Sequence, residues 1–130
     1  MSLFTVSLAH LTKEFKLEML YRSSDFEKIQ ITVEDVNRPA LQLAGFFEHF
    51  EPARMQVIGM VEDTYLAGLT PEQRVVTFDR LFSYRPPALI YARHIEPYDE
   101  CMVMARKYNI TILRTDETTS ELVSTMIATL

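Results

Sequence analysis

An alternation of apolar runs and helical patterns between residues 55 and 113 constrains the fold of this chain more than any other feature. Residues 55–58, 88–92 and 110–113 are short apolar runs that predict buried strands. The segments between them carry apolar side chains at helical spacing. Strand, helix, strand, helix, strand implies parallel strands joined by crossover helices, which are right-handed in nearly all cases. We therefore predict an α/β domain.

Both crossover helices have boundary signals. Thr70 is a predicted N-cap, Pro71 fits the first helical position, and Gln73 can return to the backbone N–H of the cap. A second helix opens at Pro97 and can close at Asn109 in a left-handed conformation. The first helix is predicted to bury Val75, Phe78 and Phe82. The predicted apolar face of the second is Tyr98, Cys101, Met102, Ala105 and Tyr108.

Shorter elements flank this alternation. They are a helix after Ser7, a strand at residues 17–21, a half-buried strand at residues 29–33, and short helices at residues 39–44 and 64–69. A final helix is predicted to begin near Thr119. Its apolar stripe is Leu122, Val123, Met126, Ile127 and Leu130. Because the stripe continues to the last residue, we expect the chain to be part of a longer protein.

Length and composition limit the protein classes. A chain of 130 residues that is 48% hydrophobic predicts one compact domain, residues 1–130. A net charge of -5 with scattered cations argues against a nucleic-acid binder. The single cysteine, Cys101, excludes an internal disulfide and favours a cytoplasmic location. No apolar run approaches the roughly 18 to 20 residues that a membrane helix requires.

The sequence carries no recognisable catalytic motif. A P-loop needs Gly-Lys followed by Ser or Thr, and no lysine here follows a glycine. His10, His49 and His94 lie in separate segments without a partner at metal-ligand spacing, which argues against a metal site. Cys101 lies on an apolar helix face and is interpreted as a small buried hydrophobe. We therefore predict no catalytic residue and no metal or cofactor on this chain.

One polar cluster is a candidate contact site. Asn37, Arg38 and Arg54 lie near proline corners instead of on a helix face, and Gln56 follows two residues after Arg54. An anion or a partner protein is one possible target, because arginine binds anionic groups through charge-assisted hydrogen bonds. A purely structural role, with the side chains holding the strand end, is the alternative. The pattern leaves both open.

Three segments around this corner resemble a known family. Residues 35–47 read DVNRPALQLAGFF, residues 54–59 read RMQVIG, and residues 62–65 read EDTY. Together they resemble the N-terminal domain of bacterial HPr kinase/phosphorylase. Weaker similarity, at residues 112–115 and 118–119 among others, extends to both ends of the chain. The resemblance also implies a three-layer fold with a mostly parallel or mixed sheet, similar to the first domain of the Mur ligases.

The resemblance implies that the chemistry of such a protein lies outside this chain. The full enzyme of that family phosphorylates a serine of the phosphocarrier protein HPr with ATP or pyrophosphate and reverses this by phosphorolysis. It thereby links the sugar phosphotransferase system to carbon catabolite repression. Its P-loop, catalytic histidine and Mg²⁺ site belong to a C-terminal kinase domain. The family forms a hexamer that is assembled mainly through those C-terminal domains. None of these elements maps onto the present sequence.

The interpretation is a non-catalytic N-terminal domain that regulates or contacts the rest of a bifunctional HPr serine kinase/phosphorylase. Two alternatives remain. One is a sensor of a phosphorylated metabolite or nucleotide at the corner of Asn37, Arg38 and Arg54. The other is a structural dimerisation module, which is favoured if Phe46, Phe47 and Phe50 are exposed. The aromatic side chains are otherwise interpreted as core packing. The isolated chain is not expected to act on HPr.

Overall fold

A computed structural model describes residues 5–129, which have an α/β fold. The elements in chain order are β1 (Val6–Ser7), α1 (Leu8–Glu14), β2 (Glu18–Tyr21), β3 (Gln30–Ile31), α2 (Ala40–Leu43), β4 (Gln56–Ile58), α3 (Met60–Ala67), α4 (Pro71–Ser83), β5 (Leu89–Tyr91), α5 (Asp99–Tyr108), β6 (Ile112–Arg114) and α6 (Thr119–Thr129). A single 3-10 turn, Phe26–Lys28, precedes β3. The predicted alternation of strands and helices between residues 55 and 113 is confirmed.

The central sheet has four strands in the order β2-β6-β5-β4. β4, β5 and β6 are parallel, with Ile90 opposite both Val57 and Leu113, and β2 is antiparallel to β6. A separate pair, β1 and β3, is antiparallel. The sheet is therefore mixed with a parallel core, as predicted. Every residue of β4, β5 and β6 is buried, and all of them except Gln56 and Arg114 are apolar or aromatic, as expected for strands covered on both faces.

Helices cover both faces of the sheet and give three layers. On one face, Val57, Ile90 and Leu113 pack in a cluster with buried side chains of α1 and α6. On the opposite face, Ile58 and Tyr91 pack in a cluster with buried side chains of α3, α4 and α5. Alternate side chains of one strand point to opposite faces, so each buried strand contributes to both clusters. The predicted three-layer α/β fold is confirmed.

Local capping signals predicted several boundaries correctly. The Thr70 hydroxyl accepts from the N–H of Gln73 at 3.2 Å, and the Gln73 side chain accepts from the N–H of Thr70 at 2.8 Å. The Ser7 hydroxyl accepts from the N–H of His10 at 3.0 Å at the start of α1. Asn109 closes α5 with a φ of 59°. In each case the deciding interaction lies within a few residues of the signal.

Some predicted boundaries and buried positions were wrong. Val75 is exposed, because Arg74 takes the inward position and donates to the carbonyl oxygens of Leu66 and Leu69. The helix predicted from residue 64 begins at Met60. The half-buried strand predicted at residues 29–33 pairs only over Gln30–Ile31, although its alternation of burial holds.

The buried positions predicted for α5 and α6 agree only partly with the structure. In α5, Met104 is more deeply buried than the predicted Met102. In α6, Leu122 and Met126 are buried as predicted, whereas the side chain of Ile127 and all of Leu130 lie outside the described part of the chain. Within residues 5–129, no helix combines the length and the apolar character needed to cross a bilayer.

Candidate functional site

Asn37 extends the edge of the sheet beside β4. Its backbone N–H donates to the carbonyl of Met55 at 2.9 Å, and its carbonyl accepts from the N–H of Val57 at 2.9 Å. These two bonds form an isolated parallel bridge between Asn37 and Gln56. The corner before Pro39 is therefore fixed to the sheet by main-chain hydrogen bonds.

The side chain of Asn37 belongs to an amide cluster, defined here as Asn37, Gln42 and Gln56. Asn37 Nδ2 donates to Gln56 Oε1 at 2.6 Å and to Gln42 Oε1 at 3.0 Å. Gln56 is fully buried and Gln42 nearly so. Their own amide groups donate to the carbonyl oxygens of Arg54 and Phe46, respectively. The cluster joins α2 to β4, and its buried polar atoms are satisfied within the protein.

Arg38, the next residue along the chain, is bound to a buried carboxylate. Its Nε and Nη2 atoms donate to the same Glu62 oxygen at 3.0 and 2.7 Å, and this oxygen also accepts from the N–H of Gly59 at 2.7 Å. The Glu62 side chain is 2% exposed, whereas that of Arg38 is 39% exposed. Arg38 thus neutralises a buried charge with one part of its guanidinium and faces solvent with another.

Arg54 lies in a different pocket, together with acidic residues. Its guanidinium binds the Glu51 carboxylate at 3.0 Å and lies 3.9 Å from Asp35. Glu34 and Asp35 line the same pocket, whose volume is about 160 Å³. The structure therefore brings Asn37 and Gln56 together but separates Arg38 from Arg54. Ligand binding by these four residues stays a prediction.

The exposed part of Arg38 lines a pocket of about 200 Å³ at the carboxyl end of the parallel strands, which we call the arginine pocket. Its lining residues are Arg38, Met60, Val61, Arg93, Thr118, Thr119 and Ser120. Arg93 and Ser120 are site residues that were not predicted from the sequence. One signal was present: Arg93 directly follows a predicted buried strand, and the carboxyl ends of parallel strands meet at one edge of a sheet.

Other reactive groups in the described residues have structural surroundings. Burial raises the pKa of the Cys101 thiol to about 12, and the thiol accepts a hydrogen bond from Tyr91 Oη at 3.0 Å. Burial also raises the pKa of Asp63. His94 and Asp116 form an exposed hydrogen-bonded pair. Across residues 5–129, no group of three His, Cys, Asp or Glu side chains is placed to hold a metal ion.

The aromatic side chains after α2 are partly stacked and partly exposed. Phe47 stacks on Tyr84 with ring centroids 4.6 Å apart, and Phe50 contacts the same tyrosine edge-on at 5.4 Å. Phe46 is 66% exposed. Phe50 therefore packs partly against the core, as the core-packing interpretation predicted. Phe47 instead stacks on Tyr84, which follows α4 and is 45% exposed, and Phe46 is exposed.

A family model and similar curated proteins indicate the same family for this chain. The family model described as HPr Serine kinase N terminus matches residues 6–130. The HPr kinase/phosphorylase of Caldicellulosiruptor bescii is 38% identical over 124 residues, which cover 95% of this chain and 40% of the relative. That of Clostridium perfringens strain SM101 is 40% identical over 119 residues, which cover 92% of this chain and 38% of the relative. The chain thus spans about two fifths of the length of these relatives.

A solved structure supports the fold. The CBS and DRTGG domains of the regulatory region of Clostridium perfringens pyrophosphatase, complexed with diadenosine tetraphosphate, match with a TM-score of 0.66 and 17% identity. The match covers 95% of this chain and 47% of that chain. The predicted similarity to the Mur ligases stays a prediction. Because the family model and the curated relatives both span nearly the whole chain, the protein belongs to the family of HPr serine kinase N-terminal domains.

Proposed function

We propose that this chain is the regulatory domain of a bifunctional HPr serine kinase/phosphorylase acting in carbon catabolite repression, and that it transfers no phosphate itself. The observation that carries the proposal is the family match over residues 6–130, combined with relatives that are much longer than the matched part. Phosphoryl transfer to HPr, with ATP or pyrophosphate and Mg²⁺, then belongs to a kinase domain outside this chain, as does assembly into a hexamer.

An apolar surface on α2, α3 and α4 supports a role in contacting that kinase domain. Leu41 and Phe46 are each 66% exposed, and Val76 is 51% exposed. Tyr65 and Val76 line an open groove of about 360 Å³ on this surface. A cluster of large exposed apolar side chains is characteristic of interaction sites. We take the groove as the docking face for the kinase domain of the same protein.

Docking regulates the enzyme only if this chain binds two conformations of the kinase domain with different affinities. A domain that binds one conformation of the kinase more tightly shifts the population toward it, and the shift equals the difference in binding free energy. The helices that line the groove, α2, α3 and α4, have buried side chains in one cluster over the same face of the sheet. We place the whole protein in the cytoplasm, where a free cysteine such as Cys101 is stable.

Two measurements test this function. Incubated with HPr, ATP and Mg²⁺, the chain alone is expected to form no phosphoserine. In calorimetry it is expected to bind the part of the Caldicellulosiruptor bescii relative that lies outside the match. Val76→Glu is expected to weaken this binding about tenfold or more, because it would bury a carboxylate in an apolar contact. Val103→Glu is the matched control, since Val103 is similarly exposed on α5.

The relative's own matched segment serves as the positive control for binding. If that segment binds the kinase region and this chain does not, the docking face is wrong. Equal losses for Val76→Glu and Val103→Glu would move the contact away from the groove. Phosphorylation of HPr by the isolated chain would contradict the non-catalytic role.

A further inference from the structure

We propose that the arginine pocket binds the phosphate group of a small phosphorylated molecule. The pocket lies apart from the groove on α2, α3 and α4, so this inference stands independently of the proposed docking function. It keeps Arg38 from the predicted corner, leaves out Asn37, Arg54 and Gln56, and adds Arg93.

The connections of the sheet create the pocket. After β5 the chain enters α5, whose buried side chains pack on one face of the sheet, and after β6 it enters α6, which packs on the opposite face. Two adjacent parallel strands whose connections leave in opposite directions open a crevice at their carboxyl ends, and α/β proteins bind ligands in such crevices. Arg93 follows β5, and residues 118–120 follow β6, so both sides of this crevice contribute to the lining.

The charge of the lining distinguishes this pocket within a chain of net charge -5. Two arginines line it and no carboxylate does. Each of the other four pockets described in residues 5–129 has at least one Asp or Glu in its lining. Glu62 offsets the charge of Arg38 but not that of Arg93, and the planar donor geometry of both guanidinium groups matches phosphate oxygens.

Arg38 is held in place before any ligand arrives. The buried Glu62 carboxylate fixes Nε and Nη2, while the side chain remains 39% exposed. Gly59 allows this arrangement, because a Cβ at that position would lie 2.6 Å from Thr119 Oγ1 and 2.7 Å from Arg38 Nη2. The guanidinium and the hydroxyl therefore lie side by side over the glycine. A donor that is already oriented loses little conformational entropy when it binds.

Arg93 supplies a second cation whose backbone is fixed. Arg93 and His94 both have a φ of 54°, which is uncommon for consecutive residues other than glycine. Their N–H groups donate to the carbonyl oxygens of Glu117 and Thr115 at 2.8 Å each, so the loop is tied to the segment before α6. Within residues 5–129, the guanidinium of Arg93 has no hydrogen bond or ion pair. Its charge acts on Glu121, whose pKa is lowered by hydrogen bonds with Thr118 and also by Arg93. The guanidinium itself is exposed and open to a ligand.

The size of the pocket limits what it can hold. A volume of about 200 Å³ lies below the roughly 300 to 1,000 Å³ of sites for drug-sized ligands. The pocket therefore fits a phosphate group with a few further atoms and is too small for a whole nucleotide. Met60 and Val61 are more than half exposed and form an apolar part of the lining, where a short carbon skeleton can lie.

The test is a titration of the 130-residue chain with inorganic phosphate and with glycerol phosphate at constant ionic strength, followed by backbone amide NMR. Saturable shifts are expected at Arg93, Thr119 and Ser120 with either ligand. Arg93→Gln keeps a polar side chain with an amide donor but removes the guanidinium and its charge, and it is expected to weaken binding about tenfold, the effect of one lost charge-assisted contact. Arg106→Gln, an exposed arginine of α5 outside all five pockets, is expected to leave the affinity unchanged.

Several results would overturn the proposal. They are the absence of saturable shifts up to high millimolar phosphate, shifts centred away from the pocket, and equal weakening by Arg93→Gln and Arg106→Gln. Unfolding curves of both variants show whether a loss of binding comes from a loss of structure. Arg38→Gln is the second variant, and at matched folded fraction it is expected to weaken binding as Arg93→Gln does.

Discussion

Asn37 and Arg38 are consecutive residues at one strand end, yet their side chains lie in opposite surroundings. Asn37 points into the amide cluster, where Gln42 and Gln56 accept its two hydrogen bonds. Arg38 points over Gly59 into the open arginine pocket, with Arg93 on the far side. Both were candidates for ligand contact on the sequence, because both are polar residues before a proline. The structure assigns one to an internal network and leaves the other accessible.

The difference teaches how stability and binding can be separated at a single corner. A buried polar group is costly to remove, because its partners lose a hydrogen bond that water cannot replace. An exposed cation without a partner contributes little to folding and remains available for an anion. We therefore expect substitutions in the amide cluster to act on stability, substitutions of Arg93 to act on binding, and substitutions of Arg38 to act on both.

The largest effect is expected for Asn37→Ala. The buried oxygens of Gln42 and Gln56 would both lose their donor, and the free energy of unfolding should fall by about 3 kcal/mol. Urea unfolding measures this change. Thr32→Ala, at an exposed position five residues earlier, is the control and should change stability by less than about 0.5 kcal/mol. Equal effects of the two substitutions would show that the cluster does not hold the corner.

Arg38→Gln is expected to have an intermediate effect of about 2 kcal/mol. The Glu62 carboxylate is 2% exposed and would keep only the N–H of Gly59. The exposed side of Arg38 reduces the loss below that of a fully buried pair. A double-mutant cycle with Glu62→Gln measures the coupling, since the double variant contains no unpaired charge. Additive effects in that cycle would contradict a direct interaction between the two side chains.

A smaller effect is expected at high pH from Cys101, whose thiol is buried on α5. Burial raises the pKa of its thiol from 9.0 to about 12, so the unfolded state loses this proton first. The corresponding stability is complete below pH 9 and is lost between pH 9 and about pH 12. From pH 8 to pH 10, the loss should be about 1 kcal/mol. Urea unfolding of Cys101→Ser should show a smaller fall, and an identical fall would exclude the thiol as its source.

Arg93→Gln is expected to have the smallest effect on folding, below about 0.5 kcal/mol. Within residues 5–129 its guanidinium makes no hydrogen bond or ion pair, and its charge acts on Glu121 without direct contact. Thermal unfolding in phosphate-free buffer measures this change in stability, and Arg106→Gln is the control. A loss of stability comparable to that of Arg38→Gln would mean that Arg93 is a structural residue, and it would remove the contrast between the two regions.

Local signals predicted much of the fold. The capping box at Thr70, the left-handed Asn109 and the three apolar strands each depend on neighbours a few residues away, and all were confirmed. Whether Arg74 or Val75 points inward from α4 depends on the contact of α4 with α3. The sequence therefore did not show that Arg74 takes the inward position. The early start of α3 involves Glu62, which the sequence presented only as an acidic residue near a helix start.

The residues of the candidate site were harder to predict from the sequence than the helices and strands. Arg38 was identified because it lies beside a proline corner, but Arg93 is 55 residues away in sequence and joins it only through the order of the strands. The amide cluster likewise depends on α2 packing against β4. Sequence spacing contains neither fact, since both follow from tertiary contacts.

Thermal unfolding with and without phosphate, compared for the wild type, Asn37→Ala and Arg93→Gln, tests the separation of the two regions most directly. Phosphate at about ten times its Kd should stabilise the wild type by about 1.4 kcal/mol and raise Tm by several degrees. Asn37→Ala should lower Tm and keep this rise, whereas Arg93→Gln should keep the original Tm and lose most of the rise. If phosphate still raised the Tm of Arg93→Gln, or no longer raised that of folded Asn37→Ala, stability and binding would not be separated between the two regions.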